Sequence, residues 1–160
     1  MTEWANFFVA MAGAAAALTG LIFVGISISL ARILSGTKIS GRGLESLILL
    51  FTIVIVSALG LVPGQTARSL GMEVLGLGVL LWVLCLRLDL RMIWQTEKAY
   101  KKHYRLNLIL SQAAVLPYLA SGAVFLARGE VGLYWLIPAF FFSFGKALAD
   151  AWVLLVEINR

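Results

Sequence analysis

"WANFFVAMAGAAAALTGLIFVGISISLA", residues 4–31, contains no charged side chain. A helix needs about 20 mostly apolar residues to cross the hydrocarbon core of a bilayer, and this run exceeds that length. The whole chain agrees: of 160 residues, 61% are hydrophobic and 13% charged, with a mean hydropathy of +0.96. A soluble domain is roughly 45–50% apolar and about 25% charged, so too few polar side chains remain to cover a surface in water. The small residues of "AGAAAALTG" resemble a signal-peptide cleavage site. However, Glu3 stands where a basic segment belongs, and the run is far longer than the ~7–15 apolar residues of a signal sequence. The reading is a retained membrane helix.

Outward from this run, five spans are expected: about 6–34, 44–62, 70–93, 106–127 and 132–158. The second ends at Pro63-Gly64. The third is the least clean, because only Val74 to Leu86 is free of charge before "LRLDLR", where arginines can reach towards headgroups. No run alternates polar with apolar as a barrel strand must. The expected fold class is therefore all-α, a single-domain bundle of five transmembrane helices, with neither linker nor internal repeat.

Basic residues in short loops set orientation. Arg32, Lys38 and Arg42 follow the first span; Arg91, Lys98, Lys101, Lys102, His103 and Arg105 surround the single acid Glu97 after the third. The remaining loops hold Arg68, and Arg128 beside Glu130. Both basic loops follow odd-numbered spans, which places them in the cytoplasm, the amino terminus outside and the carboxyl terminus inside. In the third loop, helical spacing sets Ile93, Tyr100 and Tyr104 opposite Lys98, Lys102 and Arg105. That pattern suits a segment lying at the membrane surface, with Arg91, Lys98, Lys101, Lys102 and Arg105 over anionic headgroups; a purely topogenic loop is the plainer reading. His103 reads as solvated. Nucleic-acid binding does not fit a basic run this short and tied to the membrane.

Lys146 and Asp150 lie inside the apolar fifth span, in "FSFGKALADAW". A Lys or Asp at a helix centre costs about 2.5–3.5 kcal/mol on insertion scales, while each Leu, Ile, Phe or Val returns about 0.3–0.6. The span inserts marginally alone, so its charges should face protein or water. Their i,i+4 spacing puts them on one face, but lysine before acid is the weaker order, which calls for more partners. Counted from the cytoplasmic ends, Ser111 and Gln112 on span four, Ser27 on span one and Thr52 on span two fall at similar depth, giving an expected polar layer. Structural glue, a transport or proton role, and a docking site for another membrane protein all fit the pair.

Other features read as packing. Gly13, Ala17 and Gly20 make a small-residue surface for close helix approach. Pro117 and Pro138 are expected to kink their helices. Trp4, Tyr134 and Trp135 suit the outer aromatic belt and Trp94 the inner one. Cys85, the only cysteine, reads as a buried apolar residue, and Gln65 in "VPGQTAR" as a weak ligand candidate. No phosphate-binding glycine loop, no converging metal-ligand set and no nucleophile–base pair stands out, and Glu45 and Glu97 read as isolated acids. The expectation is a non-enzyme with no metal and no cofactor.

Several stretches, "WANFFVAMAGAAAALTGLIFVGISISLARIL", "LVPGQ", "LYWLIPAF" and "DAWVLLVEINR", are similar to a family of small multi-spanning bacterial membrane proteins sometimes called modulators of the FtsH protease. The resemblance spans nearly the whole chain and implies a bacterial plasma-membrane location. It carries no catalytic residues. Two functions fit the sequence: an accessory or interaction protein, homo-oligomeric or bound to a partner membrane protein and modulating a larger assembly such as a membrane protease; or a small homo-oligomeric channel or transporter with a polar pathway at Lys146 and Asp150.

Overall fold

The computed structural model describes the backbone of residues 2–28, 37–94 and 101–158, and side chains over 3–28, 41–94 and 105–154. Among the described residues, five α-helices follow a short 3-10 turn: α1 (Ala5–Ile28), α2 (Thr37–Gly60), α3 (Ala67–Trp94), α4 (Lys101–Arg128) and α5 (Leu133–Ile158). No strand occurs among the described residues. Four stretches are long and apolar enough to cross a membrane: Ala5–Ile28, Gly41–Gly60, Ala67–Trp94 and Arg105–Leu154. The chain is thus an all-helical, multi-pass membrane protein.

The last of those stretches contains both α4 and α5. Gly129, at φ +64, ends α4, the left-handed position that glycine takes without a side-chain clash. A 3-10 turn over Gly129–Gly132 follows, and α5 returns along α4. Ser121 closes the turn by donating to the carbonyl of Gly132 at 2.9 Å. Between α2 and α3, Gly64 takes φ +75, and the Thr66 hydroxyl accepts from the Ser69 amide at 3.1 Å, capping α3.

Helices α2, α3, α4 and α5 pack in a ring, each against its two neighbours, while α1 lies outside it, almost wholly against α2. The ring buries Leu49, Leu50, Ile53 and Val56 of α2 with Val74, Leu81, Ala114, Val115, Leu136 and Phe140. Close approach of α3 and α4 depends on glycine. A Cβ on Gly122 would lie 2.7 Å from the backbone of Leu75, and one on Gly71 would lie 2.6 Å from Phe125 Cβ. Phe8 pins α1 to α2, its ring where a Cβ on Gly60 would come within 2.6 Å. At the same end, Phe7 stacks on Phe140 at 5.8 Å and Trp4 meets Tyr134 edge-on at 5.2 Å.

Two boundaries differ from the sequence reading. Arg42, assigned to a loop, lies within α2, which begins at Thr37. Lys101 to Arg105, assigned to the third loop, form the start of α4 and continue into its apolar length. A helix satisfies its own backbone hydrogen bonds, so it extends past the hydrocarbon edge without penalty, and a loop starting at the first charge is drawn too early. Helices α4 and α5 run through Pro117 and Pro138.

Candidate functional site: a buried charged layer

On α5, Lys146 and Asp150 follow the buried stripe Leu136, Ala139, Phe140, Ser143, Ala147 and Leu154, so their spacing turns both into the ring. Both are nearly sealed, at 4% and 1% exposure. Lys146 Nζ donates to Asp150 Oδ2 one turn along the same helix and to Glu45 Oε2 of α2 at 3.0 Å. Glu45 belongs to the core stripe of α2 with Leu49, Ile53 and Val56 and has no exposed surface. Arg42, one turn before it, lies 4.0 Å from Asp150 at the rim of the layer.

Two more helices complete the layer. Asn107 of α4 donates through Nδ2 to Asp89 Oδ1 of α3 at 2.8 Å, and the same nitrogen lies 3.4 Å from Glu45 Oε2. Asp89 and Asn107 are 1% and 5% exposed. Ser111, one turn after Asn107, is fully buried against Asp89 and Cys85. Every member comes from the same end of the ring: the start of α2, the end of α3, the start of α4 and the second half of α5.

Charges this deep are held by mutual compensation. Removing an ion pair from water costs several kcal/mol per ion, recovered only when opposite charges and hydrogen bonds are well placed. Lys146 is placed for this, between two carboxylates. The layer ties α2 to α5 through Lys146, and α2 to α3 and α4 through Asn107, so it links all four helices of the ring.

Of the sequence-derived candidates, Lys146, Asp150 and Ser111 belong to the layer. Gln112 does not: its Oε1 accepts from Trp82 Nε1 at 2.8 Å on the outside of α3 and α4. Ser27 is exposed and donates to its own helix at Phe23 O. Thr52 is buried but donates to Ile48 O, two helical turns, or about 10 Å, from Glu45. Hydroxyls back-bond readily within a helix, so equal depth did not bring these residues together. Glu45, read as isolated, is instead a partner of Lys146. Asp89, given no role in the sequence reading, is buried, while Arg87 and Arg91 are exposed.

The remaining candidates have these positions. Arg91 and Arg105 are exposed at the same end as the layer; Lys98 lies outside the described residues, and only the backbone is described for Lys101 and Lys102. Gly13 and Gly20 have nothing within 4 Å of a would-be Cβ, and Ala17 between them is exposed. Gln65 donates to Glu73. Cys85 is fully buried. A groove of about 660 Å³ at the opposite end is lined by Ala67, Arg68, Met72, Phe125, Leu126 and Gly129, and its one charged group is Arg68.

Four layer residues escaped the sequence reading, and two left a signal. In "RLDLR" a two-residue step on a helix is about 200° of rotation, which sets Asp89 opposite both Arg87 and Arg91. Glu45 precedes Leu49 and Ile53 by one and two turns, in phase with an apolar stripe. Arg42 and Asn107 left none; only the neighbouring helices single them out. Compared with known proteins, the chain significantly matches no protein-family model, no curated sequence and no solved structure.

Proposed function

We propose that the chain crosses a bacterial plasma membrane five times, amino terminus outside and carboxyl terminus in the cytoplasm, and acts without catalysis as an accessory protein that associates through α1. The observation that carries this reading is the position of α1. It packs outside a ring that has already closed without it, and it is the least buried of the candidate spans at 17%. Its face of Gly13, Ala17 and Gly20 is open, and small residues let a second helix approach closely in lipid. A second copy of this chain is the simplest occupant, and a larger membrane assembly such as a protease is the context suggested by the sequence resemblance.

Five crossings follow from dividing the 50-residue stretch Arg105–Leu154 at Gly129. Unbroken, it would be about 75 Å long against a hydrocarbon core of about 30 Å. The exposed arginines Arg91 and Arg105 lie at the layer's end, which supports that end as cytoplasmic.

Transport along Lys146 and Asp150 is the competing reading, favoured by a charged layer inside a membrane helix bundle. Native mass spectrometry of the purified chain in nanodiscs tests the first reading. Wild type is expected as an oligomer that Gly13→Leu with Gly20→Leu reduces to monomer. A wild-type monomer, or an oligomer unchanged by the two leucines, refutes it. Flux in vesicles containing this chain alone, lost in Lys146→Leu, would establish transport instead.

A further inference from the structure

Three carboxylates, Glu45, Asp89 and Asp150, meet two cations, Lys146 and Arg42, in the layer. Among the described side chains one negative charge is left over, and its place can be read from the contacts. Lys146 serves Glu45 and Asp150, and Arg42 lies beside Asp150. Asp89 receives the neutral amide of Asn107 on Oδ1, and its Oδ2 is buried without a hydrogen-bond partner. Glu45 Oε1 and Ser111 Oγ are buried in the same condition, and both residues are fully buried. The Glu45 and Asp89 carboxylates flank one nitrogen of Asn107, and Ser111 sits one turn further along α4.

We propose that Glu45, Asp89 and Ser111 form a binding site for a single monovalent cation, a proton or a sodium ion, that neutralises the layer. A buried carboxylate without a counter-charge is unfavourable in a low-dielectric interior. Three oxygen donors suit a hard cation, and none of them suits a soft metal. The excess is one charge, so a divalent ion would reverse the imbalance rather than remove it. No group of three His, Cys, Asp or Glu placed to hold a metal ion occurs among the described residues. The groups facing Asp89 are Glu45 from α2, Asn107 and Ser111 from α4, Lys146 from α5 and Cys85 on its own helix. Arg42 and Asp150 lie beyond Lys146. The site is a property of the ring and does not depend on whether α1 associates.

The test is the melting temperature of the purified full-length chain in nanodiscs. It is measured in sodium chloride and in N-methylglucamine chloride of equal strength, each at acidic and at alkaline pH. A bound cation stabilises the folded state by mass action. Wild type is expected to melt lowest at alkaline pH in the organic cation, and to recover when sodium is added or the pH is lowered. Recovery by sodium identifies a sodium site, and recovery by acid alone identifies a proton site. Asp89→Asn and Glu45→Gln each remove the excess charge, so each should lose the dependence that wild type shows. Either variant suffices if the other fails to fold. A wild-type melting temperature independent of both sodium and pH overturns the proposal, as does an unchanged dependence in both variants.

Discussion

Replacing Lys146 by methionine keeps most of the side-chain volume and removes the cation from between two carboxylates. Its Nζ donates to Glu45 Oε2 at 3.0 Å and to Asp150 Oδ2, with all three side chains at most 2% exposed. A hydrogen bond to a charged group contributes about 1.5–3 kcal/mol, so losing two predicts roughly 3–6 kcal/mol. Breaking a buried pair from one side, which strands a charge, costs about 3–5 kcal/mol by a separate route. The two agree, and against a typical stability of about 5–15 kcal/mol the loss is large. Reversible unfolding in mixed micelles, followed by circular dichroism, measures it. The companion variant combines Glu45→Gln, Lys146→Met and Asp150→Asn, which removes the charges together. It is expected to recover most of the loss, because an apolar or neutral replacement of a whole buried ion group is often neutral or stabilising. Lys146→Met within about 1 kcal/mol of wild type would mean the layer is wet rather than sealed, and a triple variant no better than the single one would refute charge stranding as the cause.

Two further outcomes test the packing. Gly122→Ala should destabilise by about 1–3 kcal/mol, the usual range for overpacking, because the new Cβ meets Leu75 backbone atoms at 2.7 Å that no rotamer change can move. Gly13→Ala, with open space around it, should leave the stability of the single chain unchanged or slightly raised in the same assay. Cys85, fully buried and the only cysteine, should resist a membrane-permeant maleimide in intact membranes and react once the protein is unfolded. Rapid labelling of the native protein would contradict the sealed interior.

The sequence made some of the layer legible and hid the rest. Lys146 and Asp150 stood out because an apolar span makes a charge conspicuous. Glu45, Asp89, Arg42 and Asn107 lie within a few turns of their helix ends, where polar residues are ordinary, so nothing in the sequence marked them as partners of the buried pair. Ser27, Thr52 and Gln112 had suitable depth but not suitable azimuth: depth follows from counting residues, and azimuth depends on which face a neighbouring helix covers. The same gap affected glycine. The small residues of α1 were the evident packing surface, yet the close approach inside the ring uses Gly71 and Gly122 of α3 and α4.

The amino-acid sequence by itself determined that this chain is helical and belongs in a bilayer, and it located the apolar length of each helix, though α2 begins seven residues and α4 five residues before the expected spans. Those properties depend on transfer of consecutive side chains and backbone groups out of water, a sum over each segment taken alone. Only the tertiary structure decided that four helices close on one another while α1 stays outside, and that one lysine and one asparagine from two helices meet carboxylates from three. In lipid no hydrophobic force selects helix partners, so the choice falls to shape and to pairwise polar contacts between residues far apart in the chain. Lys146 and Glu45 are 101 positions apart, and no local pattern could have joined them.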